Sequence, residues 1–311
     1  LPFFWGDLCR GRPRMFLVAV VVVGLIFSTR TIVSYQDILW DPALWGQGAP
    51  RDLLYLANSP EVLFAALVCF GMGGYDLFRP RWSRGNVLRG MLGIMLMSIA
   101  CIPLLAMTLM MQRAGVGAVI MGGVIGTLIS VYKSPKNAMG IVMMGGVLVA
   151  LEGPVLGEVW DHFRIKTEVV GMNSRLEEWA AVLRCVSADP VTLLFGRGWG
   201  AHLENPAVGG LSVNYTHSLI SSLLLKTGLI GTLSTVGGAL VPVLIPAVRS
   251  MRAYVNNRHI PEFIILWAAF CPFAISVLLY ASYKSLGFGL ILLVFYVFSD
   301  RNLEKNNQVM R

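Results

Sequence analysis

Leu219-Ile-Ser-Ser-Leu-Leu-Leu-Lys-Thr-Gly-Leu-Ile-Gly231 runs without a break into the apolar stretch Leu229–Val248. Numbered on a helix from His217, the polar residues His217, Ser218, Ser221, Ser222 and Lys226 fall on one half of the wheel. Leu219, Ile220, Leu223 and Leu224 fall on the other, with Leu225 the exception. The pattern predicts an amphipathic helix, with a histidine in its first turn, leading into a membrane span. A bilayer needs about 20 apolar residues in a row from a helix. Hydrocarbon offers the backbone no water, so a spanning segment is a helix or a strand of a closed barrel. A continuous apolar run, rather than an alternating one, selects the helix.

Runs of the same kind recur along nearly the whole chain. They lie at Met15–Thr29, Glu61–Phe78, Gly90–Met111, Ala114–Tyr132, Ala138–Leu151, Leu229–Val248, Pro261–Ala281 and Leu286–Ser299. The composition agrees: 56% hydrophobic, 14% charged, mean hydropathy +0.67. Soluble domains carry roughly 25% charged residues. The expected fold is therefore an all-α polytopic membrane bundle of about eight transmembrane helices, forming one integral membrane domain over 1–311. One large outer loop, residues 152–227, carries short helices. Gly122-Gly123, Gly126 and Gly145-Gly146 read as places of close helix approach.

Charge sets the orientation. Segments 1–14, 79–89, 133–137, 249–260 and 300–311 hold 15 of the 25 Lys and Arg residues. By the positive-inside rule both termini are cytoplasmic. Segments 30–60, with Trp40 and Trp45 suited to an interface, and 152–227 then face outward, the periplasm or cell exterior of a bacterium. The net charge of +8 follows this topology and does not call for nucleic acid. The five cysteines are scattered, without CxxC, and read as small apolar residues. Arg10, Arg12 and Arg14 before Met15–Phe27 imitate a signal peptide, but no small-residue cleavage site follows, so this is read as a short first span.

Inside the outer loop, Asn173-Ser-Arg-Leu-Glu177 predicts a helix start with capping-box spacing. Leu176, Trp179, Ala180 and Leu183 form its apolar stripe, expected to pack on the membrane part. The chemistry-bearing residues are few. His162, His202 and His217 fall outside, but without HExxH, metal-ligand spacing or an acidic cluster, so no metal is expected. Gly196-Arg-Gly-Trp-Gly200 lacks the Lys-Ser/Thr of a phosphate loop and reads as a tight turn. Arg113, between two apolar runs, reads either as a snorkelling anchor or as a functional cation; the outer face is the disfavoured side for an anchor. Arg175 reads as a helix-surface charge paired with Glu178 or Glu168, or as a ligand-binding cation. His217 reads as a structural histidine or as a base.

Four segments together resemble a known family. Gln112-Arg113-Ala-Gly-Val-Gly117 opening a span resembles the Ser-Arg-Gly segment of the bacterial O-antigen ligase and O-antigen polymerase family. Ser174-Arg175-Leu-Glu-Glu-Trp179 is similar to its Gly-Arg…Trp segment. Leu194-Phe-Gly-Arg-Gly-Trp-Gly200 is similar to its Leu-Phe-Gly-x-Gly turn. Thr216-His217-Ser218, with Leu225-Lys-Thr-Gly-Leu-Ile-Gly231, resembles its His-Asn…Gly-Leu-Ile-Gly signature. The matches keep the family's order and cover about residues 95–240. Gln112 stands where the family has serine and Ser218 where it has asparagine. Three spans precede Arg113 where the family has more, which implies missing N-terminal helices.

The resemblance implies a glycosyltransferase of the bacterial inner membrane that needs no cofactor. It would move an oligosaccharide from an undecaprenyl-diphosphate carrier to a hydroxyl of a glycan or lipid-linked glycan acceptor, on the periplasmic side. Arg113 and Arg175 would clamp the diphosphate with planar paired donors. His217 would take the acceptor proton, its imidazole (ordinary pKa near ~6.5) kept neutral by the helix N-terminus. Displacement would be single and inverting, with the polyprenyl tail between the spans. The chain's compactness favours polymerase over ligase. The competing expectations are a transporter or flippase for a lipid-linked saccharide, and a membrane scaffold.

Overall fold

The computed structural model describes residues 13–38, 56–77, 84–133, 173–255, 260–279 and 285–309, with 157, 160, 161 and 164 as isolated positions. Its helices are α1 (Pro13–Ser34), α2 (Pro60–Leu77), α3 (Arg84–Leu109), α4 (Arg113–Lys133), α5 (Asn173–Val186), α6 (Pro190–Phe195), α7 (Leu219–Val255), α8 (Ile260–Leu278) and α9 (Leu286–Val309). Between α6 and α7, β1 (Leu203–Asn205) pairs antiparallel with β2 (Leu211–Val213), Leu203 opposite Val213.

Among the described residues, five helices are long and apolar enough to cross a membrane: Arg14–Ser34, Pro60–Leu77, Val87–Leu109, Leu219–Tyr254 and Ile260–Leu278. Arg113–Val124 and Leu286–Phe298 are shorter apolar helices. The chain is a helical membrane protein. The span expected at Ala138–Leu151, Trp40, Trp45, His162 and His259 lie outside the described residues.

The first span is longer than its apolar core. Ser28, Thr31 and Ser34 each donate a hydroxyl to the carbonyl four residues back, at 2.7, 2.9 and 2.9 Å. Hydroxyls satisfied in this way need no water, so α1 continues through residues that the hydropathy pattern placed beyond its end.

α2 is the central helix. Pro60 opens it, a position where the missing N–H costs nothing, and Pro60–Leu67 are all buried. Phe64, Met107, Leu266, Ile291 and Phe295 bring α2, α3, α8 and α9 into one core. In lipid this association rests on packing rather than on exclusion of water. Close approach occurs at Gly73 and Gly93, not at the expected Gly122-Gly123. A Cβ on either Gly73 or Gly93 would lie 2.8 Å from the other's carbonyl oxygen. A Cβ on Gly122 would meet Leu67 at an ordinary 3.4 Å, and Gly145-Gly146 lie outside the described residues.

Helix ends gather at one end of the bundle: the end of α3 packs with residues just outside α1 and α2, Gln112 before α4 shares a cavity with the start of α2 and with α8, Ser218 before α7 bonds Val277 near the end of α8, and Gly287 of α9 lies against Glu61 of α2. Tyr35, Ala57, Leu109, Met110 and Met111 form an apolar cluster there. Phe273 of α8 stacks on Phe288 of α9, ring centroids 5.8 Å apart. The unit formed by α5, α6 and the hairpin is attached at this same end.

Candidate functional site at the α7 N-terminus

The site is built on a helix that is broken near its start. α7 has one non-helical residue, Gly228, at φ 65° and ψ −167°. The turn after α6 contains a second left-handed glycine, Gly196, at φ 75°. The two glycines lie back to back. A Cβ on Gly196 would sit 2.5 Å from the backbone nitrogens of Thr227 and Gly228, and one on Gly228 would strike the backbone of Leu194 and Gly196. Break and turn share hydrogen bonds as well. Arg197 N–H donates to the Leu225 carbonyl (2.9 Å) and Gly198 N–H to that of Lys226 (3.0 Å). These are carbonyls that a helix end leaves without partners. Two segments thirty residues apart in sequence thus form one joint. Lys226, almost fully buried, places its Nζ 5.4 Å from the ring centre of Trp199.

The short helix α6 starts from Asp189, whose carboxylate accepts from Thr192 N–H at 2.9 Å, with Pro190 in the first turn. Hydrogen bonds from Thr192 hold the Asp189 carboxyl below its ordinary value. The hairpin supplies Asn205, which is fully buried. Its Oδ1 accepts from Ala207 N–H (2.9 Å) and so caps the turn between the strands. Its Nδ2 donates to the Tyr215 carbonyl (3.3 Å) and to Oε1 of Glu178.

Glu178, on α5, is 1% exposed. It accepts from the His217 backbone N–H at 3.2 and 3.1 Å, one contact to each oxygen, and ring Nδ1 of His217 lies 3.1 Å from its Oε1. Burial pushes the Glu178 carboxyl up, but the hydrogen bonds from His217 and Asn205 outweigh it and hold the group below its ordinary value. The His217 side chain remains 34% exposed, with Tyr215 edge-on to its ring at 6.1 Å.

His217 is not in the first turn of the helix, as the wheel suggested, but two residues before it. Ser218 takes the capping place: its carbonyl accepts from Ser222 N–H at 3.0 Å and its hydroxyl from Ser221 N–H at 3.4 Å. The wheel's polar half is not solvated either. Ser218, Ser221, Ser222 and Lys226 are buried with the leucines, and Thr216 and Ser221 hydroxyls meet at 2.8 Å. The face of α5 also differs from expectation. Of the expected stripe, Trp179 and Ala180 are half-buried and Trp179 packs on the buried cluster, but Leu176 and Leu183 are exposed, while Glu178, Ala181, Val182 and Val186 face inward. The three contacts with His217 turn this face, and a hydropathy pattern does not register them. Glu178 therefore pairs with His217 rather than with Arg175.

Arg175 lies one turn before Glu178 on the same side of α5. Its Nη1 donates to the Leu279 carbonyl at 3.3 Å, just past the end of α8. The Ser218 hydroxyl donates to Val277, two residues earlier, at 3.4 Å. Arg175 and the residue after His217 thus converge on one helix end, whose dipole is negative and welcomes a cation. Gln112 reaches the neighbouring turn of α8. It lines a cavity of about 20 Å³ with Asn58, Ser59, Pro272 and Ser276, room for about one water. Gln112 Nε2 is buried there without a hydrogen-bond partner among the described residues. Arg113, half-buried, follows as the first residue of α4. It reaches this end of the bundle through α4, whereas Arg175 and His217 arrive through the α5–hairpin unit.

Arg197, in the glycine turn, is exposed and donates from Nη1 to Cys185 Sγ at 3.0 Å. His202, also exposed, bonds the Gly200 carbonyl at 2.9 Å through Nδ1. The residue pattern gives no hint of Asn205, and it offers Glu178 only as a partner for Arg175 or as a structural or acceptor-contacting acid; the contacts that join the two to each other and to His217 and Tyr215 span 10 to 39 residues. No protein-family model and no curated protein matches the sequence.

Proposed function

We propose that the chain is a membrane glycosyltransferase acting on a lipid-linked oligosaccharide, an O-antigen or exopolysaccharide polymerase or an O-antigen ligase. The observation that carries this reading is the convergence at the α7 N-terminus. A one-third-exposed imidazole there is anchored through one nitrogen, and Arg175 bonds the Leu279 carbonyl just past α8, two residues from the Val277 carbonyl that Ser218 at the start of α7 bonds. Such an arrangement suits a transfer in which the departing group is already stable and the entering group is not.

In the proposed step the acceptor hydroxyl oxygen attacks the anomeric carbon, and the bond from that carbon to the diphosphate oxygen breaks. The bonding pair leaves with undecaprenyl diphosphate, and the hydroxyl proton passes to Nε2 of His217. The leaving group needs charge neutralisation more than a proton, which Arg175 and Arg113 supply. One displacement inverts the anomeric centre. The active face is the periplasmic one, and the donor's polyprenyl tail lies along the spans.

His217→Ala, inserted at the parent's level in a deletion strain, tests this. Transfer should fall by about 10²- to 10⁴-fold, with lipid-linked glycan left unconsumed. Normal surface polysaccharide from that variant would sink the assignment. Electrophoresis separates the two forms of the reaction. Loss of long chains with single repeats retained identifies a polymerase; loss of all core-attached repeats identifies a ligase.

A second reading, a transporter for the same lipid-linked saccharide, draws on Glu61 and on broken helices. Glu61 is 1% exposed at the start of α2, bonded by the Ser59 hydroxyl and lodged against Gly287. α7 is interrupted at Gly228 and contains Pro242 and Pro246. Buried acids and discontinuous helices are features of transport proteins. Translocation by reconstituted protein without bond formation would favour this second reading.

A further inference from the structure

We propose that Glu178 is the positioning residue of the site: it fixes which nitrogen of His217 carries the proton and turns the other toward the acceptor. The inference deepens the glycosyltransferase reading, on which its functional half rests.

The argument is one of donors and acceptors. An ionised carboxylate has no proton to give. Glu178 Oε1 lies 3.1 Å from His217 Nδ1, so in the neutral ring Nδ1 is the donor and Nε2 carries the lone pair. The His217 backbone N–H binds both oxygens of the same carboxylate, which fixes the ring's own Cα relative to its acceptor. The carboxylate in turn cannot rotate away, because Asn205 Nδ2 holds Oε1 and the Asn205 Oδ1 is committed to the hairpin turn. Hydrogen bonds that hold the Glu178 carboxyl below its ordinary value keep it in the acceptor form.

The arrangement serves both stages of a proton transfer. Before it, the proton on Nδ1 leaves Nε2 free to accept from a hydroxyl. After it, the imidazolium sits against a buried negative charge that is already in place. The helix N-terminus, which disfavours imidazolium, is thereby offset from the other side of the ring. Asn205 acts one step further back, as the brace of the brace.

The test reads the tautomer directly. Protein labelled with ¹⁵N at its four histidines is placed in lipid nanodiscs, and His217 is identified as the signal missing from His217→Gln. Long-range ¹H–¹⁵N correlations should show the proton on Nδ1 in the parent. In Glu178→Ala the proton should move to Nε2, the form free imidazole side chains favour, and glycan transfer per inserted protein should fall about 10- to 100-fold. A parent His217 protonated on Nε2 overturns the proposal, and so does a Glu178→Ala variant with the parent's tautomer. Where Glu178→Ala does not accumulate, the parent spectrum alone decides. Normal polysaccharide from His217→Ala would remove the glycosyltransferase reading while leaving the tautomer result standing, so the two failures are told apart.

Discussion

Gly73 with Gly93, in the bundle, and Gly196 with Gly228, in the loop joint, both bring two backbones to within a side chain's thickness. The likeness ends there. The first pair sits inside helices, where a rigid shift of one helix can absorb an added methyl. The second pair has positive φ on both members, so an added methyl meets both a neighbouring backbone and a disfavoured conformation of its own. The rest of each region follows suit. The bundle is fastened by apolar surfaces, with Phe64, Met107 and Phe295 in one buried cluster. The α5–hairpin unit is fastened by hydrogen bonds from main-chain amides and Asn205, several of them accepted by Glu178. Slight movement is cheap in one region and not in the other, and the proposed chemistry is placed where it is not.

The largest effect that tests this contrast is at the joint. Gly228→Ala or Gly196→Ala should destabilise the protein by roughly 2–5 kcal/mol, combining backbone strain and overpacking. Gly73→Ala should cost about 1–3 kcal/mol from overpacking alone. Thermal unfolding in detergent measures both, and a Gly73→Ala penalty exceeding that at Gly228 would break the contrast.

Next come the two arginines, one from each region. Arg175→Lys and Arg113→Lys keep the charge but lose the planar paired donors, and each should lower transfer about tenfold. Normal transfer by Arg113→Lys alone would assign donor binding to the α5–hairpin unit and leave the bundle as support.

A gentler probe is acid. Glu178 titrates below its ordinary 4.5 in the folded protein. Its contribution to stability is therefore complete above that value and disappears as pH falls through the lower, folded one. Asp189 at the start of α6 has the same sign. Hydrogen exchange in the α5–hairpin unit should accelerate as pH falls below the ordinary carboxylate range while the bundle core stays protected. Equal acceleration in both would mean that the regions are not held differently. The smallest effect is expected from Asp189→Ala, which loses the cap of a six-residue helix and should leave transfer within about threefold of the parent.

The spans were legible in the sequence because in a bilayer the length of an apolar run nearly is the structure. α2, α3, α4, α8 and α9 begin within a few residues of where hydropathy put them, apart from the basic first turn of α3. α1 ran longer because its hydroxyls bond backward within the helix. Position 228 showed a glycine but not that the helix breaks there, since nothing near it in sequence names Gly196 as its partner. The two halves of the joint were each visible as glycine-rich signatures; that they pack on one another is tertiary information. The same holds for α5. Its apolar stripe pointed to Leu176 and Leu183, while the buried face is decided by His217, 39 residues from Glu178.

The two hydrogen bonds of the clip run from the amides of residues 197 and 198 to the carbonyls of 225 and 226, groups that do not depend on the side chain; only Gly196 and Gly228 are held to one residue type. Between the clip and His217, exposed hairpin positions such as Glu204, Leu211 and Ser212 can drift in evolution without moving the imidazole. Proteins sharing this device would be kin in their distances and, the two glycines apart, not in their spelling.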